Sequence, residues 1–312
     1  MATRIKIAKS TDELDALFRS RHVALVEELG SQFPSPDGRL MDRFDAFPST
    51  WNVVAKDRGR IVGGIRLCPT KASGSPLDGL YDFASNLPRG ADVASLSRFH
   101  LLEDYHDASL RLGFSMLYMS TYCACQRELT HLVCCPDIRV ARLAQSIGFQ
   151  QVASRFHHEA SGRELVPMLI DLRQLELPSL AKAREPGLLE AFELVEWEYH
   201  RAGDNIIRAG TEGDAAYLIV DGEVIVSVER GSPSGRSTFE LATLGPGQIF
   251  GELALLTMRR RTANVVAATE VDLMVLERDV FRNELMRNPE RLPLVLSQLA
   301  DRLANADDLL TR

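Results

Sequence analysis

Gly247-Gln-Ile-Phe-Gly-Glu-Leu-Ala-Leu-Leu-Thr-Met-Arg-Arg-Arg-Thr-Ala-Asn-Val-Val266 is the stretch on which the reading of this chain turns. Gly251 opens a short helical turn, and the first N–H groups of such a turn have no partner within it and can receive an anion. Nine residues after Glu252, Arg261 enters a strand and supplies a guanidinium suited to phosphate oxygens. Glu252 would repel a phosphate, but it fits if it accepts a hydrogen bond from a neutral hydroxyl pair such as a ribose offers. Three adjacent arginines on a wet, solvated edge are the plainer alternative. Against it, Arg259–Arg261 is the one dense basic cluster in a segment that carries 15 basic and 22 acidic residues from Leu177 to Arg312.

Outward from this stretch, turn signals recur every several residues. They are Ala202-Gly203-Asp204, Ala209-Gly210, Glu212-Gly213-Asp214, Asp221-Gly222, Gly231–Gly235 and Gly245-Pro246-Gly247. Between them lie the short apolar or alternating runs AYLIV, EVIVSVE, FELATL, ANVVAA and VDLMVL. Many short strands at this spacing predict a β-roll or barrel. Helical periods return in VFRNELMR and LPLVLSQLADRLANADDLL, with an apolar stripe at Leu292, Val295, Leu296, Leu299, Leu303 and Ala306 that either packs on the roll or forms a lid or a homodimer seam.

FGELALL followed by RTANV resembles the phosphate-binding cassette of cyclic-nucleotide-binding domains, and HRAGDNIIRAGTEGDAAYLIVDGEVIVSVERG has that family's glycines and strands in order. The resemblance implies cyclic AMP or cyclic GMP as a regulatory ligand. Arg261 would hold the exocyclic phosphate oxygens and Glu252 the ribose 2′-hydroxyl. Backbone N–H groups of Gly251, Leu253, Ala254 and Ala263 would complete the cradle, with Thr262 beside them. One departure is Arg260, where that family often has proline. The chain shows no helix-turn-helix after the terminal helices, which argues against a DNA-binding regulator.

The first 176 residues have a different texture and carry equal numbers of acidic and basic groups. TDELDALFRSRHVALVEEL reads as a helix opened by Ser10 or Thr11. WNVVAKD and IVGGIRLCP read as strands joined by the turn Asp57-Arg58-Gly59. A helix from about Tyr105 to Glu128, the strand HLVCC, a helix over IRVARLAQSIG and a strand around LVPMLIDL follow. Helices mixed with strands in this order predict an α+β layer fold. The boundaries expected are 1–176 for this domain, 177–187 for a linker and 188–312 for the β-roll.

Arg142-Leu-Ala-Gln-Ser-Ile-Gly-Phe149 resembles the helix-then-Gly-Phe signature of GNAT-fold acyltransferases. Residues 5–172 resemble the acyl-homoserine-lactone synthases and their N-acyl-amino-acid synthase relatives. Asp42-Arg-Phe-Asp45 matches that family's D-x-x-D, Gly64-Ile-Arg-Leu-Cys-Pro-Thr70 its G-x-R-L-x-P-T and Ser97-Arg98-Phe99 its S-R-F, with Arg21 on the first helix. Leu25, Ser31 and Ser95 depart from an expected Phe, Trp and Glu, which argues against S-adenosylmethionine and lactone formation. The resemblance implies a GNAT-like N-acyltransferase that takes an acyl group from a thioester of acyl carrier protein or coenzyme A to an amine.

Physically, Arg66 and Arg98 on strands with Asp42 and Asp45 nearby would form an internal ion-pair network. That network either holds the lobe together or orients an acceptor carboxylate. Glu103, with Asp104, is the candidate general base. Met116, Tyr118, Met119 and Tyr122 read as core or as the wall of an acyl tunnel.

A hydrophobic fraction of 45% and a charged fraction of 25% belong to a globular chain, and a net charge of −7 invites neither nucleic acid nor an anionic membrane. No apolar run reaches the roughly 18 residues of a membrane span, and the start has no secretory pattern, so a cytoplasmic bacterial protein is expected. Five cysteines without a C-x-x-C pair fit reduced thiols, and the vicinal Cys134-Cys135 beside His131 make a poor metal site. The function expected is a cyclic-nucleotide-regulated N-acyltransferase acting on an amino acid. A lactone synthase and a non-catalytic nucleotide sensor are its rivals.

Overall fold

The computed structural model describes residues 2–30, 32–105, 109–175, 196–232 and 235–287, with 293, 296, 297 and 300. Two compact units divide the chain, one over Thr3–Leu177 and one over Pro178–Arg312 with the first two residues. No helix among the described residues is long and apolar enough to cross a membrane.

The first unit is built on a mixed sheet. In chain order its strands are β1 (Thr3–Ile7), β2 (Trp51–Asp57), β3 (Arg60–Pro69), β4 (Val93–Leu101), β5 (His131–Cys134), β6 (Gln150–Gln151) and β9 (Met168–Asp171). They lie side by side as β1-β2-β3-β4-β5-β9-β6. Only β4 and β5 run parallel among these pairs, and their ladder stops at Leu96 opposite Cys134. Beside the sheet, β7 (Phe156–His158) and β8 (Arg163–Leu165) form a hairpin.

Helix α1 (Thr11–His22) begins where the Glu13 N–H donates to the Ser10 hydroxyl, a capping bond that settles its start. It runs on into a π-helical turn over Val23–Glu28. A short helix α2 (Thr70–Ser73) follows β3. The long helix α3 is shorter than its sequence pattern and spans Ser109–Gln126, while Glu103–Tyr105 form a separate turn. Helix α4 (Ile138–Ile147) is capped by Asp137 and ends at Gly148 with φ 112°.

Glycines place the helices on the sheet. A Cβ on Gly64 would lie 2.5 Å from Leu17 of α1. On the opposite face of β3, a Cβ on Gly63 would lie 2.4 Å from Leu101, which borders Gly113 of α3. Successive strand residues face opposite sides, so α1 and α3 cover the two faces.

The β3–β4 pairing contains the irregularity that shapes the site. Arg66 pairs with Ser97 and Gly64 with His100, so Arg98 and Phe99 together oppose Ile65 alone. Arg98 takes φ 57°, a left-handed conformation rare for a side-chain-bearing residue. This bulge breaks the in-out alternation of the strand. Buried His100 stabilises it: its Nδ1 donates to the Arg98 carbonyl at 3.0 Å, which leaves Nε2 to accept from the Ser20 hydroxyl at 3.2 Å.

The second unit is a β-roll of two sheets. One holds β10 (Trp197–His200), β12 (Ala215–Asp221), β15 (Ile249–Phe250) and β17 (Val271–Glu277), in the order β15-β12-β17-β10. The other holds β11 (Asn205–Ile207), β13 (Val224–Ser232), β14 (Gly235–Leu244) and β16 (Asn264–Ala267), in the order β11-β16-β13-β14. Ile207, Ile219, Val224, Phe250, Val265 and Leu273 are among the core residues between them. Helix α5 (Glu252–Thr257) is the short turn after Gly251, and α6 (Arg278–Arg287) follows β17. The expected linker 177–187 lies outside the described residues. So does the terminal apolar stripe except Leu296, which is half exposed.

Candidate functional sites

Asp42 and Asp45 are fixed before any arginine reaches them. They form a reciprocal capping box around the turn Arg43–Ala46. The Phe44 N–H donates to Asp42 Oδ1 at 2.9 Å, and the Asp42 N–H to Asp45 Oδ2 at 3.0 Å. Arg66 Nη1 then donates to Asp42 Oδ1 at 2.7 Å and to Asp45 Oδ2 at 2.9 Å, while its Nε donates to the Ser97 hydroxyl. Arg21 Nη1 donates to both oxygens of Asp45 and to the Leu40 carbonyl, and its Nη2 to Asn52. Arg98 donates through Nη2 to Asp42 at 2.9 Å and through Nη1 to Gln32 at 3.0 Å.

Three guanidiniums against two carboxylates leave one positive charge in excess. Its position follows from burial. The side chains of Arg21 and Asp45 are 0% exposed and that of Arg66 1%, whereas Arg98 is 19% exposed. The surplus cation therefore meets solvent at Arg98. Burial by itself would raise the Asp42 carboxyl, but Arg66 and Arg98 hold it well below the usual carboxylate range.

These groups border a cavity of about 400 Å³. Arg66, Arg98, Asp42 and Gln32 line one part; the bulge brings Ser97, Arg98 and Phe99 to it in succession. Leu77, Leu80, Leu96, Leu117 and Ala144 give it apolar walls. Beyond the end of the β4–β5 ladder it is bounded by Cys134, Cys135 and Asp137, and the β7–β8 hairpin contributes His158, Ser161 and Arg163. Asp137 Oδ1 accepts from the Arg139 and Val140 N–H groups at the start of α4, and its Oδ2 accepts from Arg163 at 2.9 Å. Burial pushes the Cys135 thiol up to about 12 and Cys134 well above its ordinary value, so both remain protonated near neutral pH.

Of the residues expected here, Arg66, Arg98 and Asp42 face the cavity, and Arg21 and Asp45 stand behind them. Glu103 does not belong to the site. It is exposed on its turn, where its N–H donates to Glu28, and Asp104 lies out by Arg60. The tunnel reading of α3 is not supported either: Met116, Tyr118, Met119 and Tyr122 are core, and among the described side chains of that helix Leu117 lines the cavity. Ser95, where the resemblance led to the expectation of a Glu, is buried and donates to the Cys68 carbonyl. Gln32, Asn52 and His158 were not anticipated. Asn52, the one polar residue within Trp51–Ala55 at the start of β2, was the usable signal.

In the β-roll, a cavity of about 310 Å³ is lined by Gly251, Glu252, Leu253, Ala254, Arg261, Thr262 and Ala263, with Ile207, Val226 and Val265 on its apolar side. Gly251 takes φ 78°, and a Cβ there would lie 2.6 Å from Arg261 Nη1. A Cβ on Gly213 would lie 2.8 Å from Arg261 Cζ, so two glycines bracket the guanidinium. Arg261 is buried and donates to the Gly251 and Ala215 carbonyls, both at 2.6 Å. Burial lowers its proton affinity, opposed by Tyr217, Asp214 and Glu252. Arg261 lies in a loop before β16, not in the strand. Its N–H donates to the Thr211 carbonyl and its own carbonyl accepts from Gly210, so it pairs with a turn rather than with a neighbouring strand. Arg260, in the place of the expected proline, donates to the Gly210 carbonyl.

A cavity with apolar walls and a surplus cation on a mixed sheet, and a glycine-bracketed arginine in a β-roll pocket, are features in keeping with an acyltransferase domain and a nucleotide-binding domain. Comparison gives the particular families. Residues 17–171 match the N-acyl amino acid synthase FeeM family, and residues 197–288 match the cyclic nucleotide-binding domain. The chain thus joins a FeeM-type N-acyltransferase domain to a cyclic nucleotide-binding domain. Among curated relatives, it is 38% identical over 107 residues to cGMP-dependent protein kinase, isozyme 1, of Drosophila melanogaster, covering 34% of this chain and 14% of that protein. It is 32% identical over 106 residues to the CRP-like cAMP-activated global transcriptional regulator of Mycobacterium tuberculosis, covering 34% of this chain and 46% of that protein. The chain thus spans less than half the length of either. Among solved structures, FeeM, an N-acyl amino acid synthase from uncultured soil microbes, aligns at 17% identity and a TM-score of 0.46 over 56% of this chain and 93% of its own.

Proposed function

We propose that this protein is a cyclic-nucleotide-regulated N-acyltransferase that moves an acyl group from a thioester to the amine of an amino acid. The observation that carries the reading is the surplus cation at Arg98 on the rim of a cavity that also has apolar walls. A carboxylate-bearing amine acceptor neutralises that charge, while Leu77, Leu80, Leu96 and Leu117 take the acyl chain. Arg66, Asp42, Asp45 and Arg21 hold Arg98 in place. The amine nitrogen bonds to the thioester carbonyl carbon, the C–S bond breaks, and the thiol of an acyl carrier protein or of coenzyme A leaves.

In the β-roll, Arg261 takes the phosphate of cyclic AMP or cyclic GMP and Glu252 the ribose hydroxyl, with Gly251, Leu253, Ala254 and Ala263 offering N–H groups and Thr262 reaching the base. Binding there draws Arg261 from the Ala215 and Gly251 carbonyls. For the nucleotide to regulate transfer, it must bind the active and inactive arrangements with different affinity.

Mass spectrometry of lipid extracts from an expressing strain tests the chemistry. An N-acyl amino acid is expected; an acyl lactone, or no new lipid, refutes it. Calorimetry with each nucleotide tests the sensor: Arg261→Ala should lose on the order of 2–4 kcal/mol of binding free energy, the worth of a charge-assisted grip on phosphate. Equal affinity of variant and wild type removes the assignment.

A further inference from the structure

The transfer just proposed leaves one proton without a destination. An amine that has added to a thioester carbonyl carries a positive charge, and the adduct reverts to amine and thioester unless a proton leaves the nitrogen. The cavity offers few groups able to take it. Asp42 is committed to Arg66 and Arg98, and their pull makes it too weak a base. Both oxygens of Asp137 are committed, one to the start of α4 and one to Arg163. Cys134 and Cys135 keep their own protons. The expected Glu103 lies outside the cavity. Among the described cavity residues, one imidazole remains.

That residue is His158, at the end of β7, half-buried and lining the cavity. Its Nδ1 lies 2.7 Å from the Ser161 hydroxyl, whose oxygen is also 3.4 Å from the His158 carbonyl. With the Ser161 proton on that carbonyl, Nδ1 carries the ring hydrogen and Nε2 presents its lone pair. The hairpin under it is anchored, because His158 pairs in register with Arg163 and Arg163 is tied to Asp137 at the cap of α4. The charged groups around it are Arg163 and Asp137 across the hairpin and Glu159 next in the turn. His157 and Glu164 pair with each other at 3.4 Å and are largely exposed.

We propose that His158 is the general base of the N-acyl transfer, an assignment that rests on the acyltransferase reading above. Nε2 takes one proton from the attacking nitrogen as the C–N bond forms. The C–S bond then breaks, and the departing thiolate takes that proton from the imidazolium, which returns His158 to its starting state. Ser161 is a positioning residue that fixes the tautomer.

The test uses the full-length protein with decanoyl-coenzyme A or decanoyl-acyl carrier protein and a mixture of the twenty amino acids, with N-decanoyl amino acids read by mass spectrometry. His158→Gln and His158→Ala are expected to lower kcat on the order of 10²–10³-fold with little change in KM, the usual worth of a general base. The acid limb of the wild-type pH–rate profile should vanish in both variants, and added imidazole should restore part of the His158→Ala rate. Nucleotide affinity and circular dichroism should match the wild type, showing an intact fold. Variants within threefold of wild type, or slowed variants that keep the acid limb and gain nothing from imidazole, overturn the base while leaving the transferase. A wild type that acylates no amino acid with either donor overturns both.

Discussion

Asp45→Asn tests the arginine–carboxylate network most directly. The Asp45 carboxylate is completely buried, and each of its contacts is a donor: Arg21 twice, Arg66 once and the Asp42 N–H. Asn keeps the volume but removes the charge and turns an acceptor atom into an NH₂ that faces guanidinium donors. Arg21 cannot escape to water. Burial already pulls it below the ordinary guanidinium value, to about 10, even with Asp45 in place, so its cation stands worse off than in solvent. Removing the nearest anion deepens that deficit, in line with the roughly 3–5 kcal/mol lost when one member of a buried pair is deleted. With a urea slope of about 2 kcal/mol per molar, the unfolding midpoint should fall by about 1.5–2.5 M. The chain has two tryptophans, Trp51 and Trp197, so fluorescence in a Trp197→Phe background reports the N-terminal unit alone. Arg39→Ala, which breaks a solvated pair with Asp15, should leave the midpoint in place. A fall below about 0.5 M for Asp45→Asn, near 1 kcal/mol on the same slope, would mean that water reaches the network and that the charge excess at Arg98 is not fixed by burial.

Two further outcomes follow from single contacts. Gly213→Ala should weaken cyclic-nucleotide binding about tenfold or more by calorimetry, because its Cβ would lie 2.6 Å from Ala254 and 2.8 Å from Arg261, an overpacking worth roughly 1–3 kcal/mol. Burial pulls His100 from 6.5 down to about 3, so between those values the unfolded chain binds a proton that the native chain does not, and native stability is lost as pH falls. His100→Gln should remove about 1.4 kcal/mol per pH unit of that slope between pH 6 and 4.5, measured by urea titration at each pH, and leave it unchanged above pH 7; an unaltered slope contradicts a neutral buried imidazole.

The parts of this molecule legible in the sequence are those encoded by contiguous residues. Apolar runs between glycine turns marked β12, β13, β14, β16 and β17, because period-two burial and positive-φ turns both write themselves locally. Asp42-Arg-Phe-Asp45 was legible as a contiguous motif through its resemblance to a family pattern, and the structure adds that this spacing forms a capping box. What escaped is set by register. Nothing local announces that Arg98 and Phe99 share one partner across the ladder. Without that bulge, alternation would aim one of Ser97, Arg98 and Phe99 away from the cavity. Arg261 was placed in a strand for the same reason: ANVV has strand chemistry, but the backbone just before it is engaged by Gly210 and Thr211. Glu103 was misassigned because nearness in sequence to Ser97-Arg98-Phe99 does not survive the end of β4, whereas His158, sixty residues away from Arg98, reaches the same cavity on a separate hairpin.

On the function proposed above, both domains face one electrostatic problem and meet it by different means. A site that must hold an anionic group needs a cation that its own fold has not neutralised, yet a buried unpaired charge is costly. In the N-terminal domain the solution is an unequal ion count. Two carboxylates satisfy two fully buried arginines, and the third, Arg98, is left where partial exposure lowers the cost of its charge. In the β-roll, Arg261 is held by the Gly251 and Ala215 carbonyls, which accept its hydrogens without cancelling its charge. Glu252 and Asp214 steady that charge from nearby. A phosphate competing for Arg261 would therefore exchange neutral acceptors for an ionic one, and the gain would be largest where water is excluded. The same logic makes Arg261→Lys a poor replacement, since one ammonium cannot span two carbonyls and still turn a fork toward a phosphate.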